Sequence, residues 1–169
     1  MPWGRFTFAL IVVYVLQTAV VGLFHVKSLD LFLLLALAAG LSTPVHDARL
    51  GAWIIGLVQD LGSPLEPLGI HAFALGLTGL IVTGLRELVN LNLAWVRVLV
   101  AFPAAFAGAL LYLLHLHFWQ RVPLESWVTL LGSAAGTALI ASAGAALVTA
   151  FPRLAGRGRR RGQVGRASR

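Results

Sequence analysis

The chain has 169 residues, of which 59% are hydrophobic and only 11% are charged. With a mean hydropathy of +0.87, this composition excludes an ordinary soluble domain and predicts an integral membrane protein. The absence of cysteine excludes disulfides, thiolate metal sites and cysteine nucleophiles. The net charge of +7 does not indicate nucleic-acid binding, because seven of the thirteen basic residues lie in the last seventeen positions without interleaved aromatic residues.

Six apolar segments predict an all-α membrane domain of six transmembrane helices over residues 1–152. Ser28 and Asp30 are plausible N-cap residues of the second segment. Residues 153–169 are rich in glycine and arginine and predict a basic, unfolded tail. The six segments are 6–24, 29–43, 50–61, 68–85, 98–119 and 127–151.

The distribution of basic residues predicts the orientation of these helices. With six crossings and the N-terminus inside, eleven of the thirteen basic residues lie on the cytoplasmic side, and only Lys27 and Arg121 lie outside. A third segment that re-enters would leave five crossings and would export either Arg5 or the tail, against the positive-inside rule. We therefore expect a multi-pass plasma-membrane protein with both termini in the cytoplasm, whose tail also contacts anionic lipid.

The third segment is short and ends in an acidic residue. Residues 50–61 span only about 18 Å as a helix, against a hydrocarbon core of roughly 30 Å. A carboxylate near membrane depth needs a partner, so Asp60 is a candidate functional or structural residue. We expect it to accept hydrogen bonds from the turn that follows, with His71 as its side-chain partner, and to tolerate Asp60→Asn if that role is architectural. The alternative is that the helix simply ends at Asp60 in a hydrated interface.

Catalytic and metal-binding constellations are not indicated by the sequence. His115 and His117 lie roughly 200° apart around a helix and do not face one ion together. Ser42 and Ser63 lack a G-x-S-x-G context, and no second carboxylate is placed within one helix of Asp60, so an acid and base pair is not indicated. We therefore expect neither an enzyme nor a bound cofactor.

Small residues on the last segment predict close helix packing. Gly132 and Gly136 are four positions apart among serine, alanine and threonine residues, which lets another backbone approach. The face that carries them is either internal or receives the single helix of a partner protein.

The third and fourth segments also carry a distinctive pattern, Gly56-Leu57-x-x-Asp60-Leu61 followed by Pro67-Leu68-Gly69. Together with the length, the six apolar segments and the basic tail, this pattern resembles MreD, the family of small polytopic rod shape-determining proteins of bacterial cell-wall elongation. The resemblance covers roughly residues 5–152. It makes Gly56, Asp60, Pro67, Gly69 and His71 candidate structural or partner-binding residues.

The resemblance to MreD implies a fold similar to the substrate-binding subunits of energy-coupling-factor vitamin transporters. It also implies a non-enzymatic scaffold that is a partner of MreC, a bitopic membrane protein. Through MreC it implies a link to MreB filaments and to RodA with its class B penicillin-binding protein. The alternative function is a small-molecule, vitamin-type binding subunit of a membrane transporter, because the implied fold is shared with such proteins.

Overall fold

A computed structural model describes residues 2–21, 30–62, 67–91, 93–120 and 127–164 of the chain. All regular structure in these residues is helical, which confirms the predicted all-α class. The helices in the described ranges are α1 Trp3–Leu16, which continues as a π-helical turn Gln17–Val21, α2 Leu31–Ser42, α3 Val45–Gly62, α4 Ile70–Leu88, α5 Ala94–Gln120 and α6 Trp127–Val164.

The third helix is longer than the apolar pattern predicted. It has 18 residues and begins at Val45, directly after Pro44, so it spans about 27 Å rather than about 18 Å. His46, Asp47 and Arg49, which lie between the second and third predicted segments, belong to the first turns of this helix. Asp47 is favourable there because a negative charge complements the positive end of the helix dipole. The apolar segment of about 18 Å is therefore only part of this helix, whose full length is close to the roughly 30 Å of a hydrocarbon core.

Two other helices also extend beyond their predicted limits. Helix α5 begins at Ala94, four residues before the predicted segment, so Pro103 lies in its third turn. Helix α6 continues as far as Val164, although an unfolded tail was predicted from residue 153. Arginine has a high intrinsic helix propensity, and extending an existing helix avoids the cost of nucleation. Residues 165–169 lie outside the described residues.

Successive helices run antiparallel, so their ends collect at two opposite ends of the bundle. At one end, the Asp60 side chain at the close of α3 bonds to the start of α4. At the other, Arg49 near the start of α3 bonds to Thr83 near the close of α4. We call these the carboxylate end, defined by Asp30 and Asp60, and the arginine end, which carries Arg49 and two arginines described below.

Helix α2 lies at the centre of the bundle and contacts each of the other five helices. Its residues from Ala36 to Leu41 are all buried. Much of the surrounding core is alanine, whose small side chain lets helix axes approach closely where packing supplies the attraction. Fully buried core alanines include Ala36, Ala48, Ala52, Ala101, Ala104, Ala105, Ala134, Ala138 and Ala145.

The outer surface of the bundle is apolar over a large area, which is unusual for a soluble monomer. In the described part of the chain, the segments Trp95–His115 and Leu131–Thr149 are long and apolar enough to cross a membrane, and Trp3–Ala19 and Leu31–Ser42 are shorter apolar helices. Exposed large apolar side chains include Phe8, Ile11, Leu57, Leu61, Leu99, Leu139, Leu147 and Val148.

Helices α3 and α4 make backbone contact at Gly56. A Cβ atom built on Gly56 would overlap the Ala72 backbone and the His71 carbonyl oxygen, with the Ala72 nitrogen at 2.7 Å. Backbone atoms have no rotamer through which to move away. The two helices are therefore held at a separation that only glycine permits at this position.

We expect Gly56→Ala to lower the free energy of unfolding by about 1 to 3 kcal/mol, because the added methyl group overpacks a backbone contact. Gly84→Ala in α4 is the matched control, since a Cβ there meets no described atom within 4 Å. The control should leave stability unchanged or raise it by up to about 1 kcal/mol through helix propensity. Unfolding by sodium dodecyl sulfate in mixed micelles measures both. Equal effects of the two substitutions would contradict a close contact at Gly56.

Candidate functional site

The carboxylate of Asp60 is buried and accepts hydrogen bonds from the first turn of α4. Its Oδ2 accepts from the backbone nitrogens of Gly69 at 2.9 Å and Ala72 at 3.0 Å. Its Oδ1 accepts from the backbone nitrogen of His71 at 2.9 Å and lies 3.0 Å from His71 Nδ1. Since the first N–H groups of a helix have no intrahelical acceptor, Asp60 caps α4 from the end of the preceding helix. The prediction that Asp60 bonds to the following turn and to His71 is confirmed.

The turn before α4 brings these donors to one point. Gly69 occupies the N-cap position with a φ of 102° and has no side chain with which to cap the helix. That left-handed conformation is easily adopted by glycine alone, and it directs the Gly69 N–H toward the same carboxylate as the N–H groups of His71 and Ala72. Pro67 is exposed at the beginning of this turn. Ser63, Pro64 and Glu66, which were also assigned to the turn, lie outside the described residues.

His71 joins the capped turn to α5. Its ring is buried, and its centroid lies 4.8 Å from that of Tyr112, with an angle of 37° between the ring planes. Because an ionised carboxylate only accepts hydrogen bonds, the contact with Asp60 requires a proton on His71 Nδ1. Tyr112 was not among the predicted site residues. Like Tyr14, it lies within a long apolar run, a position where a tyrosine hydroxyl needs a partner.

A second carboxylate caps α2 beside this site. Asp30 Oδ1 accepts from the backbone nitrogens of Phe32 at 2.9 Å and Leu33 at 3.0 Å, which confirms the predicted cap. Burial raises the pKa of Asp30, while the Leu33 N–H, the neighbouring His71 and a hydrogen bond with Gln59 act in the opposite direction. Ser28, the other proposed cap, lies outside the described residues. At the carboxylate end, the first N–H groups of α2 and of α4 are therefore each satisfied by an aspartate.

The arrangement of donors limits the chemistry that is open to Asp60. Its two oxygens receive three backbone N–H groups and one imidazole N–H, all from this chain. A carboxylate that is occupied in this way positions helices and has little capacity left to abstract a proton or bind a ligand. Among the described residues, no group of three histidine, aspartate or glutamate side chains is placed to hold a metal ion.

The two glycines of α6 face away from the rest of the described bundle. A Cβ built on Gly132 or Gly136 meets no described atom within 4 Å. The face of α6 that packs inside carries Ala134, Ala138 and Ala141, all of which are buried. Ala134 and Ala138 show the same spacing of small residues as the glycines, but the glycines were singled out as the packing positions. The glycine face is therefore not an internal packing face, and the partner-binding alternative for it stays a prediction.

Comparison of the chain with known proteins found no matching family model, no matching curated protein and no matching solved structure.

We expect Asp60→Asn to lower the free energy of unfolding by about 1 to 3 kcal/mol, the usual cost of leaving buried polar groups unsatisfied. Asparagine offers one acceptor oxygen, and its NH₂ group would face N–H donors that have no other acceptor. The expectation that asparagine is tolerated in an architectural role is therefore withdrawn for this geometry. Asp60→Leu should cost at least as much.

The control for Asp60→Asn is Glu87→Gln, which removes an exposed carboxylate at the far end of α4. Unfolding in mixed micelles should show little change for this variant. If Asp60→Asn proved as stable as the parent protein, the cap would not be a stabilising element.

Proposed function

We propose that the chain crosses the bacterial plasma membrane six times, with both termini in the cytoplasm. The support is the distribution of charge in the antiparallel bundle. Arg49, Arg86 and Arg97 lie at the arginine end, whereas Asp30 and Asp60 lie at the carboxylate end. The positive-inside rule assigns the arginine end to the cytoplasm. The exposed apolar side chains between the two ends then face lipid.

We expect cysteines at the two ends of α4 to react from opposite sides of the membrane. Leu68 and Leu88 flank this helix and are 72% and 80% exposed, and the native chain has no cysteine to interfere. In intact cells an impermeant maleimide should label Leu68→Cys, and it should label Leu88→Cys only after the membrane is permeabilised. The reverse pattern would invert the orientation, and labelling of both from outside would contradict a crossing by α4.

Within this membrane topology, we propose a non-enzymatic scaffold of the cell-wall elongation complex that maintains cell shape as an MreD-like partner of MreC. The observation that carries the proposal is that Gly56, Asp60, Gly69 and His71, which belong to or adjoin the MreD-like pattern, meet in one helix-joining unit. Both oxygens of the Asp60 carboxylate already accept hydrogen bonds from donors of the same chain. This favours an architectural protein over the vitamin-binding alternative, which needs polar groups directed at a ligand.

The glycine face of α6 supplies a surface for a single-span partner. Gly132 and Gly136 are open, and small residues let a second helix approach closely enough for backbone packing in lipid. A bitopic protein such as MreC has one such helix to contribute. Through that partner the scaffold would be linked to MreB filaments and to RodA with its class B penicillin-binding protein.

We expect replacement of both Gly132 and Gly136 by leucine to weaken partner binding without destabilising the isolated protein. The leucines enter open space, so unfolding in micelles should be unchanged, while they would separate the two helix backbones in a complex. The parent and the double variant, each tagged, are to be purified from the native host in mild detergent, with recovery of an MreC-like bitopic protein as the measurement. Gly84→Leu, another open glycine, is the control and should recover the partner at the parental level.

Recovery of the partner by the double variant at the parental level would show that the glycine face contacts lipid. If the parent instead retained a vitamin-like molecule that raises its thermal stability, the transporter-subunit alternative would be favoured, because a ligand that binds the native state stabilises it.

A further inference from the structure

A groove at the arginine end combines basic and apolar side chains on one face of α3. It has a volume of about 380 Å³ and is lined by residues of the first three turns of the helix. The spacing of these residues places them on a single side of α3, the side that also carries Gly56, so the groove borders the contact with α4. The lining residues are Val45, His46, Arg49, Leu50 and Trp53.

The basic end of the groove is organised around Arg49. Its Nε donates to Thr83 Oγ1 at 3.0 Å, which fixes the side chain against α4. In the described structure, its two terminal amino groups donate to no other protein group. Arg86 lies within electrostatic range of Arg49, and its own guanidinium bonds to the Gly40 carbonyl oxygen. Glu87 offsets part of the charge of Arg86, but the two guanidinium groups repel each other in the absence of an anion.

The rest of the groove is apolar and well supported. Leu50 and Trp53 are 47% and 42% exposed, so both present surface to a ligand. The Trp53 indole lies against Gly76 and packs edge to face on Phe73, with ring centroids 6.3 Å apart. From Val45 to Trp53 the groove runs about 12 Å along the helix axis, away from the charged end. A charged mouth that leads into an apolar channel of this length matches a phospholipid rather than a small soluble anion.

We propose that this groove binds one anionic phospholipid of the cytoplasmic leaflet. Arg49 holds the phosphate through its free amino groups, Arg86 adds positive charge near Arg49, and an acyl chain lies along Leu50 and Trp53. The proposal rests on the membrane orientation proposed above, which places the arginine end where anionic lipids are enriched. Binding in this groove differs from the general attraction of anionic lipid to the basic C-terminal residues, because the groove holds a single lipid molecule at a defined place on α3.

Quenching of Trp53 fluorescence by brominated lipid tests this site. A variant that keeps Trp53 and replaces the other four tryptophans with phenylalanine is reconstituted in phosphatidylcholine vesicles that contain phosphatidylglycerol brominated on its acyl chains. The quenching should correspond to local enrichment of the anionic lipid by about five-fold over its bulk fraction, as expected for one basic residue at the membrane surface. Arg49→Gln should return quenching to the bulk value, whereas Arg49→Lys should keep most of the enrichment.

Two controls separate the groove from the general charge of the arginine end. Arg5→Gln removes an exposed arginine of α1 that does not line the groove, and it should leave the enrichment at Trp53 unchanged. A variant that keeps only Trp95, which is 64% exposed at the start of α5, should report the bulk lipid fraction. The protein with all of its tryptophans gives a second readout, because phosphatidylglycerol should raise its thermal stability in detergent more than phosphatidylcholine does, and Arg49→Gln should remove the difference.

Equal quenching of Trp53 by brominated phosphatidylcholine and phosphatidylglycerol would overturn the proposal, as would enrichment that survives Arg49→Gln. A lack of quenching at both Trp53 and Trp95 by any brominated lipid would overturn the site and would also contradict insertion of the bundle in the membrane. If Trp95 is quenched normally and only the enrichment at Trp53 is missing, the lipid site is wrong and the proposed membrane insertion stands.

Discussion

Capping of α4 by Asp60 is the interaction on which the two-helix unit of α3 and α4 depends. A buried carboxylate costs several kcal/mol unless donors surround it, and here the donors are the N–H groups that a helix start leaves unsatisfied. They converge because Gly69 adopts a left-handed conformation, and they reach Asp60 because Gly56 permits backbone contact. The cap and the close approach therefore require each other, and loss of either one exposes unsatisfied groups in the other.

The charges of the bundle satisfy two electrostatic requirements at once. Asp30 and Asp60 lie at the positive ends of the α2 and α4 dipoles, while Arg86 lies at the C-terminus of α4 and bonds to a carbonyl oxygen near the C-terminus of α2. Because successive helices alternate in direction, the charges that complement the dipoles of α2 and α4 also place Asp30 and Asp60 at one end of the bundle and Arg86 at the other. Buried Arg97 adds to the same end through hydrogen bonds to the Leu91 carbonyl oxygen and to Thr149.

The sequence predicted the helical class and the Asp60–His71 contact, because a polar residue within an apolar pattern has few available partners. It could not predict four further features, each of which depends on tertiary geometry. The number of donors around Asp60 follows from the turn, and it changes the expected result of Asp60→Asn from tolerance to a loss of stability. Tyr112 reaches His71 only through the packing of α5 on α4. The first turns of α3 were predicted to be a connection between helices. Hydropathy counts their charged residues as unfavourable and does not include the favourable interaction of Asp47 with the helix dipole. The rotation of α6, which buries its alanines rather than its glycines, is set by neighbouring helices.

The identity of the donors around Asp60 bears on how the protein enters the membrane during synthesis. In the proposed orientation α3 carries Asp47, Arg49 and Asp60, and a charged residue raises the cost of inserting an isolated helix. The groups that satisfy Asp60 belong to α4, the next helix to leave the ribosome. Insertion of α3 is thus thermodynamically coupled to that of α4. In the proposed topology the two helices insert as a hairpin, because α4 supplies the hydrogen-bond donors that the Asp60 carboxylate of α3 needs. A chain truncated before Gly69 would leave α3 with an unsatisfied carboxylate at the membrane, where quality-control proteases act on poorly inserted segments.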